Sequence, residues 1–170
     1  MGYDMTMEVS ALNEIFVEFY YWITVPLMFL IHVGFCLYEV SVSRAKNHLH
    51  TLMKNAMLIP VVTVSMFFFG FWIYFAGQGP FGDFAGGSTG LPWDATMGSN
   101  INDHIYGVFW AAFLLFSWTA ASIVSGAVIE RIRTGAFLIL AVLVGSVTWM
   151  IDAAWGWSAG GWMVTDWGYH

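Results

Sequence analysis

Four ionisable side chains fall inside otherwise apolar runs: Glu18, His32, Glu39 and Asp152. An ionised group at the centre of a bilayer helix costs about 2.5–3.5 kcal/mol on insertion scales, so each is a functional candidate by default. Each also has an ordinary structural reading. Glu39 can pair with Arg44 or cap neighbouring backbone, and Glu18 lies near an interface where solvation suffices. His32, in LIHVGF, can hydrogen-bond a neighbouring helix or line a pore. Asp152, in WMIDAAWGW, can face an aqueous vestibule and attract cations, or merely reach up to the interface.

Aromatic side chains carry the other chemistry. Phe109, Trp110, Phe113 and Phe116 crowd one run, and Trp149, Trp155, Trp157 and Trp162 crowd another. A belt at the membrane interface accounts for such clusters, and composition alone favours it. A cage of ring faces would instead hold a small cation, each well-placed contact contributing ~0.5–2 kcal/mol as desolvation increases. No Ser/His/Asp arrangement, HExxH motif or Cys/His cluster with ligand spacing occurs, so neither an enzyme nor a metal or other cofactor is expected. His48 and His50 read as a solvated pair, and the single Cys36 excludes an internal disulfide.

The elements that position these residues follow from composition. Hydrophobic residues make up 59% of the 170 and charged ones 9%, against roughly a quarter charged in a soluble domain, so the chain belongs in a membrane. The net charge of −6 lacks the basic footprint of a nucleic-acid partner. A helix that crosses a bilayer needs about 20 mostly apolar residues. Four stretches qualify, at about 15–42, 51–77, 104–128 and 135–157, giving an all-α integral membrane protein with one domain over residues 1–170.

All basic residues fall in two places. Arg44, Lys46 and Lys54 follow the first span, and Arg131 and Arg133 follow the third. By the positive-inside rule both turns are cytoplasmic, which puts the N-terminus and, after four spans, the C-terminus outside. Asp4, Glu8, Asp83, Asp94, Asp103 and Asp166 then share the outer side. The leader MGYDMTMEVS has no basic n-region, and its fit to the myristoylation pattern is discounted because that end is outside. Residues 78–103, rich in Gly, Pro, Asp and Asn, read as an irregular outer loop capping the helix ends. Ser117, Ala121 and Ser125, four apart, form a small-residue packing face. The segment after Trp157 reads as the lead-in to another helix, and so as part of a longer or split protein.

Three blocks together resemble the ammonium transporter and Rhesus-protein family: VGFCLYEVSVSRAKN at 33–47, SIVSGAVIERIRTGAF at 122–137 and AAWGWSAGGWM at 153–163. The resemblance implies that the spans correspond to the first helices of an ammonium channel. Counted from Glu130-Arg131, Phe116 matches the family's outer gate phenylalanine and Trp157 its vestibule tryptophan, the pair that stacks on ammonium before it sheds a proton. That favours the cage over the belt for these two residues alone. Where the family often has a second phenylalanine the chain has Ala112, with Phe113 beside it. Where the family often has proline and histidine, the chain has Met150 or Ile151 and Ala154, with Asp152 between them as a compensating attractor. The family's Asp-x-Ala-Gly motif and paired pore histidines do not occur. The resemblance further implies a homotrimer, or a second chain that supplies the remaining helices. A structural subunit retaining a partial transporter fold is the competing reading.

Overall fold

In lipid a chain must satisfy its backbone internally, which leaves long apolar stretches the choice of helix or closed barrel. A computed structural model describes residues 2–77 and 104–169, and every regular element among them is helical. The expected outer loop at 78–103 lies outside the described residues.

The first helix runs Gly2–Val42, with Pro26 inside it. The second span, Ala45–Ala76, opens with a tight turn at Ala45–Asn47, continues as His48–Ser65, widens over Met66–Gly70 and closes as Phe71–Ala76. The third helix is His104–Ala127. The fourth span, Thr134–Gly156, widens over Leu143–Thr148. A short helix, Trp162–Trp167, ends on Gly168 in the left-handed conformation, with Gly168 N–H donating to Val164 and Tyr169 N–H to Met163. All four spans are long and apolar enough to cross a membrane, as expected. The second begins at Ala45, not near residue 51, so Lys54 lies more than two turns inside it and not at its edge.

The third span is the hub. Half of it is buried, against 17% of the first, which packs chiefly along it, while the second and fourth spans cover another side. Lipid gives helices no hydrophobic reason to associate, so close backbone approach has to hold them together. The small-residue face does this: Ser117, Ala121 and Ser125 are all fully buried. Ala121 packs among Leu58, Val62, Phe137 and Ala141, and Ser117 donates to Met66 Sδ at 3.6 Å. Opposite them, a Cβ on Gly145 would lie 2.8 Å from the Ser117 carbonyl oxygen. The two widened segments also meet, with Ser65 Oγ and Ser146 Oγ 2.6 Å apart.

Both basic turns sit at one end of the bundle, because Glu130 accepts the Arg44 backbone N–H at 2.6 Å and faces Arg44 Nε at 3.3 Å. Glu130 has φ 59°, a left-handed conformation that costs a non-glycine residue roughly 1–2 kcal/mol. The hydrogen bonds from the Arg44 N–H, and then from the Asn47 side chain, offset that cost and hold the carboxyl below its ordinary 4.5. A depressed carboxylate stabilises the fold fully above its unfolded value, and the contribution disappears as pH falls through the lower folded value. Wild type is therefore expected to melt above Glu130→Gln at neutral pH, with the gap closing on acidification below 4.5; melting curves across that range check it.

Candidate functional site

Phe109, Phe113 and Phe116 lie four and three residues apart, so one face of the third helix carries all three rings. Phe109 and Phe113 are 4.3 Å apart between centroids. Phe113 is buried and also touches Tyr74 at 4.8 Å. At the end of this face nearer the basic turns, Phe116 stacks on Trp149 at 5.4 Å and 27° and meets Trp157 edge-on at 5.3 Å. Trp149 and Trp157 are themselves 5.3 Å apart, which closes a triangle of rings. Phe113 lies against it, 6.3 Å from Trp149 and 6.4 Å from Trp157.

The backbone that presents Trp157 is tightly specified. The helix ends as Trp157 and Ser158 N–H both donate to the Ala153 carbonyl, at 3.0 and 3.1 Å. The chain then turns at Gly161, where a Cβ would overlap the carbonyl oxygens of Trp155 and Ala154, so only glycine fits. This leaves Trp157 56% exposed while Phe116 and Trp149 are partly buried. The triangle therefore has one open face of π-electron density backed by two further rings. Such a face attracts a small cation electrostatically.

Phe116 and Trp157 are thus brought together. Trp149, which sequence reasoning left in the interfacial belt, is the third member. Its indole N–H is buried without an acceptor among the described residues. Asp152 is exposed, three residues beyond Trp149, and among the described residues no hydrogen bond or ion pair ties it to the rings. Among the described residues no three His, Cys, Asp or Glu converge as a metal site.

His32 and Glu39 belong to a polar seam between the first and third spans that Lys54 and Asn55 of the second span join. His32 is buried, with Nδ1 2.9 Å from Ser122 Oγ and its ring 5.9 Å from Trp118, away from the triangle. Glu39 does not pair with Arg44, whose exposed side chain lies past the helix end and serves Glu130. Its Oε2 accepts from Ser125 Oγ at 2.7 Å and Asn55 Nδ2 at 2.9 Å, and lies 3.7 Å from Lys54 Nζ. Lys54, expected in a solvated turn, is 3% exposed; it also reaches the Ser125 carbonyl at 3.3 Å and the Phe137 ring at 4.8 Å. The signal for this centre was an opposite charge at matching depth in two antiparallel spans. Arg131 is exposed and, with Arg44, Lys46, Asn47, Gly126 and Glu130, lines a cavity of about 500 Å³ at the basic end. Glu18 is half-buried and accepts from Trp22 Nε1 at 3.3 Å.

A model of the Ammonium Transporter Family matches residues 19–169. Among curated proteins, the ammonium transporter Amt2 of Archaeoglobus fulgidus is 33% identical over 141 residues, covering 81% of this chain and 28% of that protein. The ammonium transporter of Bacillus subtilis is 32% identical over 143 residues, covering 81% and 34%. Amt2 of Haloferax mediterranei is 31% identical over 171 residues, covering 98% and 35%. The chain thus spans about a third of the length of these relatives. No solved structure matches.

Proposed function

Because this chain belongs to the ammonium transporter family, we propose that its four spans form part of a membrane channel for ammonium, with the Phe116–Trp149–Trp157 triangle as the recruiting site. The protein is an integral, multi-pass membrane protein. In this reading the basic end faces the cytoplasm, both termini of the described bundle face outward, and the spans are the first helices of the channel. Further helices, from the same chain or a second one, complete the pore, and the assembly is a homotrimer.

The observation that carries the reading is the 5.3 Å contact between Phe116 and the exposed Trp157. An ammonium ion on the open indole face gains cation–π attraction that strengthens as water leaves. Asp152, exposed near the same helix end, adds negative potential that raises the local cation concentration. Phe113, Phe109 and Tyr74 flank the triangle on its outer side, so the approach to Phe116 and Trp149 is walled by apolar rings, where a bare cation is costly and a neutral amine is not. Ammonium therefore passes its proton to water on the outer side of the rings and continues inward as ammonia, with or without that proton being conducted separately. Uptake of methylammonium by proteoliposomes of the full-length protein tests this: accumulation above empty liposomes supports transport, and leak-level uptake removes it.

A further inference from the structure

The hydrogen-bond inventory around Glu39 is lopsided. Every donor that reaches the carboxylate goes to Oε2. Oε1 is buried and has no donor among the described residues, and Asn55 Oδ1 carries the same deficit. None of the three side chains that reach the carboxylate has a hydrogen to spare. Ser125 spends its one hydroxyl proton on Oε2. Asn55 divides its two amide protons between Oε2 and the Thr51 carbonyl, and flipping the amide would set oxygen against oxygen. Lys54 is committed to Oε2, the Ser125 carbonyl and the Phe137 ring. A carboxylate oxygen left without a donor in a low-dielectric interior is strongly unfavourable, so a donor must come from elsewhere.

Gly126 makes room for one. A Cβ built there would stand 3.7 Å from Oε1, in ordinary contact with it and with no other atom within 4 Å. The same glycine lines the cavity of about 500 Å³ at the basic end. We infer that a water molecule, admitted from this cavity, binds over Gly126 and donates a hydrogen bond to Glu39 Oε1. Water fits better than a small cation, because Lys54 already neutralises the carboxylate and a second positive charge would be uncompensated. Gly126 is then kept small for its ligand and not for helix contact, unlike Gly145.

Substitution at Gly126 separates this from a dry gap by the sign of the effect. The backbone there is ordinary, so alanine adds helix propensity, and in a dry site Gly126→Ala raises the melting temperature. If water occupies the site, the methyl displaces it and strands Oε1, and melting falls by about 2–4 °C or more. Gly126→Ser puts a hydroxyl within the usual ~2.7–2.8 Å of Oε1, replaces the lost donor and recovers most of that fall. The experiment is thermal unfolding of the full-length protein followed by tryptophan fluorescence in ammonium-free buffer. The order Gly and Ser above Ala is the expected result. Ala at or above wild type overturns the inference, and so does Ser at or below Ala, which would mean that bulk and not a missing donor is at fault.

Discussion

Lys54→Met is expected to leave the protein barely folded, at a cost of about 3–5 kcal/mol, because it strands the Glu39 carboxylate without its counter-ion. The methionine keeps the stem volume, so the loss is electrostatic. With side-chain exposures of 3% and 2%, neither group can turn to water. The pair as a whole is a different matter, since burying two charges costs nearly what their attraction returns. Adding Glu39→Gln should therefore restore much of what Lys54→Met removes, and a double-mutant cycle on melting measures that coupling. Additive losses, or a single substitution costing under about 1 kcal/mol, would show that the pair is not the buried centre described here.

Gly145→Val is expected to lower melting and transport together. The added Cβ would stand 2.8 Å from the Ser117 carbonyl and 3.2 Å from Val62 Cγ1. Backbone cannot swing aside as a side chain can, so the third and fourth spans must part, at about 1–3 kcal/mol. Ser117 is next to Phe116, and Trp149 lies one turn beyond Gly145, so the same displacement pulls apart the rings that stack at 5.4 Å. Gly34→Ala serves as the control, since nothing lies within 4 Å of the Cβ it would add. Wild-type melting and uptake in Gly145→Val would remove this close approach from the account.

The spans and turns were legible because they depend on quantities a sequence displays directly. Apolar length sets the helices, and the basic residues around Arg44 and Arg131 mark two turns that meet through the Arg44–Glu130 pair. The Ser117–Ala121–Ser125 face was legible for the same reason, because small residues four apart share one side of a helix. Phe116 and Trp157 were paired only by resemblance, and the fold brings their rings into contact.

What stayed hidden depends on register and depth. The widened segment Leu143–Thr148 inserts about one residue, a rotation of roughly 100°, so helical periodicity counted from Gly135 misplaces Trp149. Lys54 looked like a turn residue because the second span opens with a tight turn at Ala45–Asn47, which carries it further into the bundle than the charge pattern suggests. Glu39 then finds its partner across helices and not along its own, and no local spacing records that.

The direct test of the central claim is the concentration dependence of methylammonium uptake by the full-length protein in proteoliposomes, for wild type, Trp157→Leu and Phe116→Ala. Loss of one cation–π contact of ~0.5–2 kcal/mol raises the half-saturating concentration about 2- to 30-fold. Trp157 is 56% exposed, so its replacement should do this with little change in melting, whereas Phe116→Ala should raise the half-saturating concentration and lower melting as well. Identical saturation curves for all three proteins would contradict recruitment at these rings.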